Sequence, residues 1–381
     1  MLEQLLGWWR VGQPWAMATV VATWRSAPRQ PGAVLLVGPD STVVGSVSGG
    51  CVEADVVELA EAMLASSAPA AAPPALRRYG VADADAVAVG LPCGGELEVV
   101  VEVVSPRTHP ELGLVLAAIA AGEPVALATV VEHEDPARRG RRLLVRPGEV
   151  AARIEGVGPG LGSERADTAA TDDIRGLLAA GRSELLTYGP DGERSGTGMR
   201  VFAATFAPSP RMLVFGASDY AAAVARLGRF LGYRVTVCDA RGRFATPARF
   251  PEADEVVLDW PHRYLAAEVA AGRVDDHAVL CVLTHDPKFD LPLLEVALRL
   301  PVAYVGALGS RRTHEDRLER LREAGLSPAE LGRLASPMGL DLGARTPEET
   351  AVSIAAEIVA HREGGQGRPL REIGGPIHHP I

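Results

Sequence analysis

Short β-branched segments separated by Pro and Gly fill much of the first hundred residues, and one stretch of helical periodicity interrupts them. The predicted strands are 20–24, 33–37, 42–47 and 96–104. The predicted helix spans 52–64, because its apolar residues recur at helical spacing and share one face. The order of strand, strand, strand, helix and strand predicts an α+β unit.

The same pattern occurs twice along the chain. Residues 12–21 and 122–131 are identical at seven of ten positions. Two further matches follow in order at offsets of 108 and 109, between 28–37 and 136–145 and between 79–80 and 188–189. Such a repeat indicates a duplicated structural unit. We predict copy one at 1–105 and a degenerate copy two at 106–206, with Pro208-Ser209-Pro210 as a linker.

Strands and helices alternate through 211–363, which predicts a parallel, doubly wound sheet of Rossmann type. The predicted strands are 211–215, 233–238, 255–259, 278–284 and 302–306. Residues 364–381 are predicted to be a flexible tail, and we do not expect His378 and His379 in it to bind a metal. The predicted fold class is therefore α/β, with a C-terminal Rossmann-like parallel sheet domain preceded by an α+β region built from two similar units.

The loop after the first Rossmann strand is an altered dinucleotide-binding turn. Gly216 keeps the tight turn, and Asp239 lies 18 residues after Ala221, near where a ribose-binding carboxylate is expected. Ser218 replaces the middle glycine, and Asp219 places a negative charge where a phosphate would be stabilised. Both residues disfavour NAD(P). Either of them could instead cap the helix.

A second loop of the same domain is better suited to an anion. Gly309, Ser310, Arg311 and Arg312 lie between a strand and the predicted helix 313–324. Amides at a helix start together with two guanidinium groups form a phosphate site. His285, on the loop after a neighbouring strand, is expected to face the same crevice, with turn capping as the alternative.

Composition narrows the class of protein. The chain has 381 residues, enough for two or three domains, and a net charge of −10, which disfavours binding to nucleic acid. It has no apolar leader and no run long enough for a membrane span, so we expect a cytoplasmic protein without stable membrane insertion. None of the four cysteines forms a CxxC pair, and Cys238 and Cys281 are assigned to buried strands.

Cys51 and Cys93 differ from the other cysteines, because each lies beside paired glycines that copy two lacks. Gly49 and Gly50 would let a ligand approach closely, with backbone amides free to donate. Cys51 would open the following helix, where amide dipoles favour a thiolate that can bind a soft metal or a sulfur atom. Cys93 is the second candidate. A small residue at a tight turn is the alternative interpretation of both.

Together these motifs resemble the XdhC/CoxI family of xanthine dehydrogenase accessory proteins. The resemblance rests on 26–33, 48–53, 91–95, 303–312 and 336–343. It implies a chaperone, rather than a turnover enzyme, that binds molybdenum cofactor (molybdopterin) and supports its sulfuration. The chaperone would insert the cofactor into an apo molybdenum hydroxylase of the xanthine or carbon monoxide dehydrogenase type, with a cysteine desulfurase as a further candidate partner.

On this resemblance the cofactor phosphate would lie at the Gly309–Arg312 turn, and Cys51 would face the molybdenum or its sulfurs. The apolar, β-rich repeats also suggest a homodimer. Two other classes of function stay open. One is an NAD(P)-dependent oxidoreductase that uses Gly216 and Asp239, and the other is a docking scaffold that binds no small molecule.

Overall fold

The computed structural model describes residues 2–24, 29–66, 73–80, 95–148 and 160–374. The chain divides into two compact units, Met1–Pro208 and Ser209–Ile381. The division falls within the predicted linker.

The first unit contains copy one, an antiparallel sheet of five strands in the order β3-β2-β1-β5-β4 with two helices in its described residues. Its elements are α1 (Leu2–Val11), β1 (Trp15–Trp24), β2 (Val34–Val37), β3 (Val43–Gly45), α2 (Glu53–Leu64), β4 (Ala75–Tyr79) and β5 (Glu96–Val104). Val56 and Ala60 of α2, one turn apart, are completely buried against the sheet. Burial of this apolar face holds α2 on copy one.

Copy two repeats the arrangement, with its strands in the order β7-β6-β9-β8. Its elements are α3 (Pro110–Ala121), β6 (Val125–His133), β7 (Arg142–Val145), α4 (Glu164–Ala179), β8 (Glu184–Tyr188) and β9 (Met199–Phe206). Even an irregularity is shared. The pairing of β1 with β5 shifts between Val20 and Ala22, and that of β6 with β9 shifts between Val130 and Glu132. The repeat in the sequence is therefore also a repeat in the fold.

The predicted order of elements within a copy is incomplete. Each copy begins with a helix, α1 or α3, which is followed by a glycine of positive φ, Gly12 or Gly122. Each copy also has a strand, β4 or β8, between its second helix and its last strand. β4 and β8 lie at sheet edges, and their middle residues are exposed or half-buried, so they lack a strong apolar signal.

The two copies pack against each other through equivalent faces. One shared core joins Trp15 of copy one to Val125 of copy two. A smaller core contains two equivalent pairs, Val21 with Val131 and Val100 with Phe202. The apolar faces that suggested a homodimer are therefore buried within one chain, and they no longer argue for a second copy.

Buried ion pairs cross the same interface. Glu98, which is 3% exposed, accepts a hydrogen bond from Arg200 at 2.6 Å, and the two residues occupy equivalent positions on β5 and β9. Glu102 pairs with Arg142, and His109 lies 3.5 Å from its carboxylate. Burial alone would raise the pKa of Glu102, but Arg142 and then His109 lower it to about 2. The charges thus hold the copies in one register.

The second unit is a parallel sheet of six strands in the order β12-β11-β10-β13-β14-β15. The strands are β10 (Arg211–Phe215), β11 (Arg234–Cys238), β12 (Glu255–Val257), β13 (Val279–Val282), β14 (Tyr304–Ala307) and β15 (Leu334–Ala335). The helices are α5 (Asp219–Phe230), α6 (Pro261–Ala270), α7 (Pro287–Ala297), α8 (Arg311–Glu323), α9 (Pro328–Leu331) and α10 (Pro347–Glu363). This strand order is that of a Rossmann fold, with its switch point between β10 and β13. The predicted fold class is confirmed.

Two apolar cores lie on opposite faces of this sheet, one beneath α5 and α10 and the other beneath α6, α7 and α8. Cys238 and Cys281 are buried in them, as predicted, and burial raises the pKa of each thiol to about 12. Neither is therefore a thiolate near neutral pH. The described part of the tail includes a 3-10 turn at Leu370–Glu372, whereas His378 and His379 lie outside the described residues.

Candidate functional site

The Ser-Gly-Gly-Cys segment of copy one closes around a single carboxylate. We call residues Ser46–Val52, which join β3 to α2, the Glu53 loop. The carboxylate of Glu53, the first residue of α2, accepts hydrogen bonds at 2.8–3.2 Å from the amides of Val47, Ser48, Gly49, Gly50 and Val52. It also accepts from the hydroxyls of Ser46 and Ser48. These donors make Glu53 the centre of the loop.

The hydrogen bonds keep Glu53 ionised. Burial alone would raise the pKa of Glu53, but the hydroxyls of Ser46 and Ser48 and the amide of Ser48 lower it to about 2. The expectation that the amides of Gly49 and Gly50 are free to donate to a ligand is therefore wrong. Both glycines instead supply positive φ, +82° and +123°, and face open space where a Cβ would be.

Cys51 lies in the Glu53 loop, two residues before the start of α2, and not at the opening of the helix as expected. Its amide donates to the hydroxyl of Ser48 at 2.9 Å. Its side chain is half-buried against the core of copy one, and its thiol is free. Arg29 donates from Nε to the carbonyl of Ser46 at 3.4 Å, so the 26–33 motif reaches the same loop. Cys93 lies outside the described residues.

In the described part of copy two, the segment before the equivalent helix is organised differently, with the Asp167 carboxylate accepting from the amide of Leu161 at 2.7 Å. Tyr79 donates to Asp55 of α2 at 2.5 Å, and the equivalent Tyr188 donates to Asp173 of α4 at 2.9 Å, which aligns the two helices. α4 begins nine residues before Asp173, whereas α2 begins two residues before Asp55. On this alignment the Glu53 loop replaces the first two turns of a regular helix. The shared fold therefore does not require it.

In the second unit, the altered dinucleotide loop is satisfied from within the protein. Gly216 has a φ of +116°, and a Cβ there would lie 3.0 Å from the backbone that follows β13. Ser218 caps α5 by accepting from the amide of Ala221 at 3.3 Å. Asp219 pairs with Arg249 at 3.1 Å. The capping interpretation of Ser218 is confirmed.

Asp239, 2% exposed, has no free acceptor site. One oxygen accepts from the amide of Ala217 and from Nη2 of Arg241, at 2.8 and 2.6 Å. The other accepts from the amide and Nε of Arg241, at 2.8 and 2.9 Å. Four donors fill the lone pairs of a carboxylate. Burial opposes ionisation, but the Arg241 bonds lower the pKa of Asp239. This arrangement argues against a ribose-binding role.

The Gly309–Arg312 turn is organised differently. Gly309 has a φ of +153°, and Ser310 caps α8 by accepting from the amide of Thr313 at 3.1 Å. The first amides of the helix, those of Arg311 and Arg312, have no intrahelical partner. Both side chains are exposed, and neither forms an ion pair or hydrogen bond with the part of the chain that the structure describes. The turn therefore presents two guanidinium groups and a helix start to an anion.

A buried ion pair lies beneath this turn. Arg317 and Asp290 are each 4% exposed, and they meet at 2.9 Å. Arg317 also donates to the carbonyl of Leu308 at 3.2 Å and to the hydroxyl of Ser336 at 3.0 Å. The hydroxyl of Thr284 donates to Asp290. The pair thus ties the segments after β13, β14 and β15 together at the carboxyl edge of the sheet.

His285 also lies at this edge, exposed on the segment after β13. The neighbouring residue Asp286, and not His285, caps the turn that leads into α7. Asp286 caps α7 by accepting from the amide of Lys288 at 3.1 Å and pairs with the Lys288 ammonium at 2.9 Å. His285 makes no hydrogen bond or ion pair with other described residues. It therefore stays a candidate contact for a ligand.

Sequence models of known families match both units. The model of the XdhC and CoxI family matches residues 8–80 and again 118–189. The model of the XdhC Rossmann domain matches residues 212–358. The chain belongs to the XdhC and CoxI family. One XdhC and CoxI match falls on each copy, so a single copy corresponds to the first module, and the Rossmann match falls on the second unit.

Individual relatives support this assignment. The chain is 26% identical to the Escherichia coli (strain K12) molybdenum cofactor insertion chaperone PaoD, over 92% of this chain and 84% of that protein. It is 30% identical to the Escherichia coli (strain K12) protein YqeB over 50% of this chain, although the match spans only 34% of YqeB. A crystal structure described as a xanthine dehydrogenase from Bacillus halodurans superimposes with a TM-score of 0.68 at 24% identity, covering 97% of each chain. That likeness supports the fold.

Sequence reasoning missed three residues that organise these XdhC and CoxI family loops: Glu53, Asp290 and Arg317. A signal for Glu53 was present, because it follows Gly50 by three residues, the spacing at which a glutamate reaches back to a helix start. Nothing marked Arg317, one of several arginines along α8.

Two features are absent from the described residues. No helix there is long and apolar enough to cross a membrane. No group of three or more His, Cys, Asp or Glu side chains there is arranged to hold a metal ion.

Proposed function

We propose that this protein is a chaperone of molybdenum cofactor maturation, which binds the cofactor as cargo and delivers it to an apo molybdenum hydroxylase of the xanthine or carbon monoxide dehydrogenase type. The observation that carries the proposal is the match to PaoD, a molybdenum cofactor insertion chaperone, over nearly the whole length of both proteins. The match spans the duplicated unit and the Rossmann unit together.

The phosphate of the cofactor fits the Gly309–Arg312 turn. A phosphate at a helix start takes backbone amides and gains from the helix dipole, and a guanidinium group binds it through two parallel hydrogen bonds. Arg311 and Arg312 are exposed and unpaired within the described residues, so binding would break no existing ion pair. The buried Arg317–Asp290 pair holds the turn in place before the ligand arrives.

In the first unit, Cys51 is the candidate contact for the molybdenum or its sulfurs. Thiolates are suitable ligands for soft metals, and the thiol of Cys51 is free. Sulfuration would then require a sulfur donor such as a cysteine desulfurase. A Cys51→Ser variant should retain cofactor through the Gly309–Arg312 turn but support less activation of the apo-hydroxylase. Unchanged activation would remove Cys51 from the mechanism.

NAD(P)-dependent oxidation is the less favoured function. A ribose ligand needs a free carboxylate oxygen, and both oxygens of Asp239 already accept two donors each. Asp219, which pairs with Arg249, also places a negative charge beside the turn where a pyrophosphate would bind.

The test is an anaerobic binding experiment with molybdenum cofactor released from a purified molybdenum enzyme. After gel filtration, the pterin that co-elutes with the protein is oxidised to a fluorescent product and quantified, and NADPH is titrated in parallel. We expect retained pterin and no saturable NADPH binding. No retained pterin, combined with stable capture of an apo-hydroxylase, would overturn the proposal in favour of a docking scaffold.

A matched pair of variants tests the phosphate site. Arg311→Ser/Arg312→Ser should weaken cofactor binding by about tenfold or more, because two charged hydrogen-bonding groups are lost. Arg320→Ser/Arg322→Ser removes the same charge from exposed positions in the last turn of the same helix and should leave binding unchanged. Equal affinity in both double variants would mean that the phosphate does not bind at this turn.

A further inference from the structure

The Glu53 loop closes on its own ring of hydrogen bonds and also contacts Arg29 and the core of copy one. Five amides, two hydroxyls and one carboxylate are committed to one another. Two successive residues of the loop, Gly49 and Gly50, have positive φ, which costs conformational entropy on folding. The protein thus holds this segment in a defined shape by local hydrogen bonds together with the burial of Val47 and Val52 in the core of copy one.

Copy two supplies the internal control. When the helices are aligned on their tyrosine–aspartate pairs, Glu53 corresponds to Thr171 of α4. Thr171 is buried, and its hydroxyl donates to the carbonyl of Asp167 within a continuous helix. The same position therefore serves ordinary helix packing in one copy and organises a loop in the other. The loop in copy one also carries Cys51.

A short chain of hydrogen bonds connects Glu53 to Cys51. The Ser48 hydroxyl donates to the Glu53 carboxylate. The same oxygen accepts from the amides of Cys51 and Val52, at 2.9 and 3.0 Å. Ser48 is 2% exposed, so water does not replace these contacts readily. The backbone of Cys51 is thus fixed by a buried hydroxyl that the Glu53 carboxylate orients.

We propose that Glu53 is a positioning residue: its carboxylate fixes the conformation of the loop and thereby the half-buried presentation of the Cys51 thiol. This inference rests on the proposed function in one respect only: sulfur or metal chemistry at Cys51 requires that its thiol be held in one position. The positioning itself can be measured without any cofactor.

The experiment uses the full chain with Glu53→Gln and, as a matched control, Glu58→Gln. Glu58 is exposed on the same helix and loses the same charge. A glutamine presents an N–H group to the amides of the loop, so several of the seven donors lose their acceptor. We expect hydrogen exchange of the 47–52 amides to accelerate by at least about tenfold in Glu53→Gln, since hydrogen bonds to a charged acceptor contribute more than hydrogen bonds to a neutral one.

The decisive readout is the alkylation rate of Cys51 in the folded protein, followed by peptide mass spectrometry so that it is separated from Cys93. We expect the rate to change several-fold in Glu53→Gln and to stay unchanged in Glu58→Gln. A residue that only adds to global stability would not change this rate under conditions where the protein is fully folded, so far-ultraviolet circular dichroism and thermal midpoints are recorded alongside.

A second variant keeps the test valid even if Glu53→Gln misfolds. Ser48→Ala removes the hydroxyl that links Glu53 to Cys51 without changing charge, and it should reproduce the change in Cys51 alkylation. The inference is overturned if both variants leave the alkylation rate and the exchange of 47–52 at wild-type values. Failure of the wild-type protein to bind cofactor would refute the proposed function alone, because neither readout involves the cofactor.

Discussion

Replacement of Arg317 by methionine should destabilise the Rossmann unit more than any change at an exposed arginine of the same helix. Methionine keeps most of the length and apolar volume of the side chain, so the variant removes chiefly the charge and the donors. Among the described residues, the Asp290 carboxylate, 4% exposed, would then have the Thr284 hydroxyl as its remaining side-chain partner. The carbonyl of Leu308 and the hydroxyl of Ser336 would also lose their donor.

The magnitude follows from those contacts. Removing one member of a buried ion pair costs about 3–5 kcal/mol, because the remaining charge is neither solvated nor paired. We expect Arg317→Met to fall in that range. Arg320→Met, at an exposed position in the last turn of α8, loses only a favourable interaction with the helix dipole and should cost about 0.3–1 kcal/mol.

The assay is hydrogen exchange at increasing urea, resolved to peptides of β14 and α8 so that the Rossmann unit is observed separately from the duplicated unit. A cost of about 3–5 kcal/mol corresponds to exchange through unfolding that is roughly 100-fold to several thousand-fold faster. Arg317→Met/Asp290→Leu, which removes the whole pair, should recover part of the loss, because apolar residues often replace a complete buried pair at little cost. A cost below about 1 kcal/mol for Arg317→Met would refute this account of the carboxyl edge.

Three further outcomes are expected. The pKa of Glu102 falls from 4.5 to about 2 on folding, so the ionised Glu102 stabilises the protein fully above about pH 4.5 and progressively less as the pH falls towards 2. Across this pH window the thermal midpoint should therefore fall less steeply in Glu102→Gln than in the wild type. Tyr79→Phe removes the hydrogen bond to Asp55 and should cost about 1–2 kcal/mol in urea denaturation, whereas no measurable loss would mean that water replaces the bond. Gly216→Ala should cost at least about 1–3 kcal/mol, because its φ of +116° and the backbone 3.0 Å from the added Cβ both oppose a side chain; calorimetry that showed a stabilised variant would contradict this.

The sequence was most informative where a pattern repeats or alternates. The identities between 12–21 and 122–131 predicted the duplication, although the first strand was predicted at 20–24 and β1 begins at Trp15. The strand–helix alternation after 211 predicted the parallel sheet. A helix or strand that is buried on one face has apolar residues at periodic positions in the sequence, and duplication repeats this pattern. The edge strands β4 and β8 left little trace, because one face of each meets solvent.

The loops were predicted less well, for a physical reason. Glycine-rich turns suggest free amides, but whether an amide is free depends on side chains that fold back onto it. Glu53 folds back onto Gly49 and Gly50, and Asp239 onto Ala217, whereas no side chain in the part of the chain that the structure describes folds back onto the amide of Arg311. Spacing alone does not separate these cases, since each is a short loop that leads into a helix.

The contact between Glu98 and Arg200 has an evolutionary consequence. The two residues are counterparts in a two-fold-like arrangement, so two identical copies of the first module assembled in the same way would bring one glutamate against another. Like charges at that depth repel, and the joined halves have therefore become complementary rather than interchangeable. The two halves also differ where they are aligned, because the cysteine-bearing loop of copy one corresponds to the first two turns of α4.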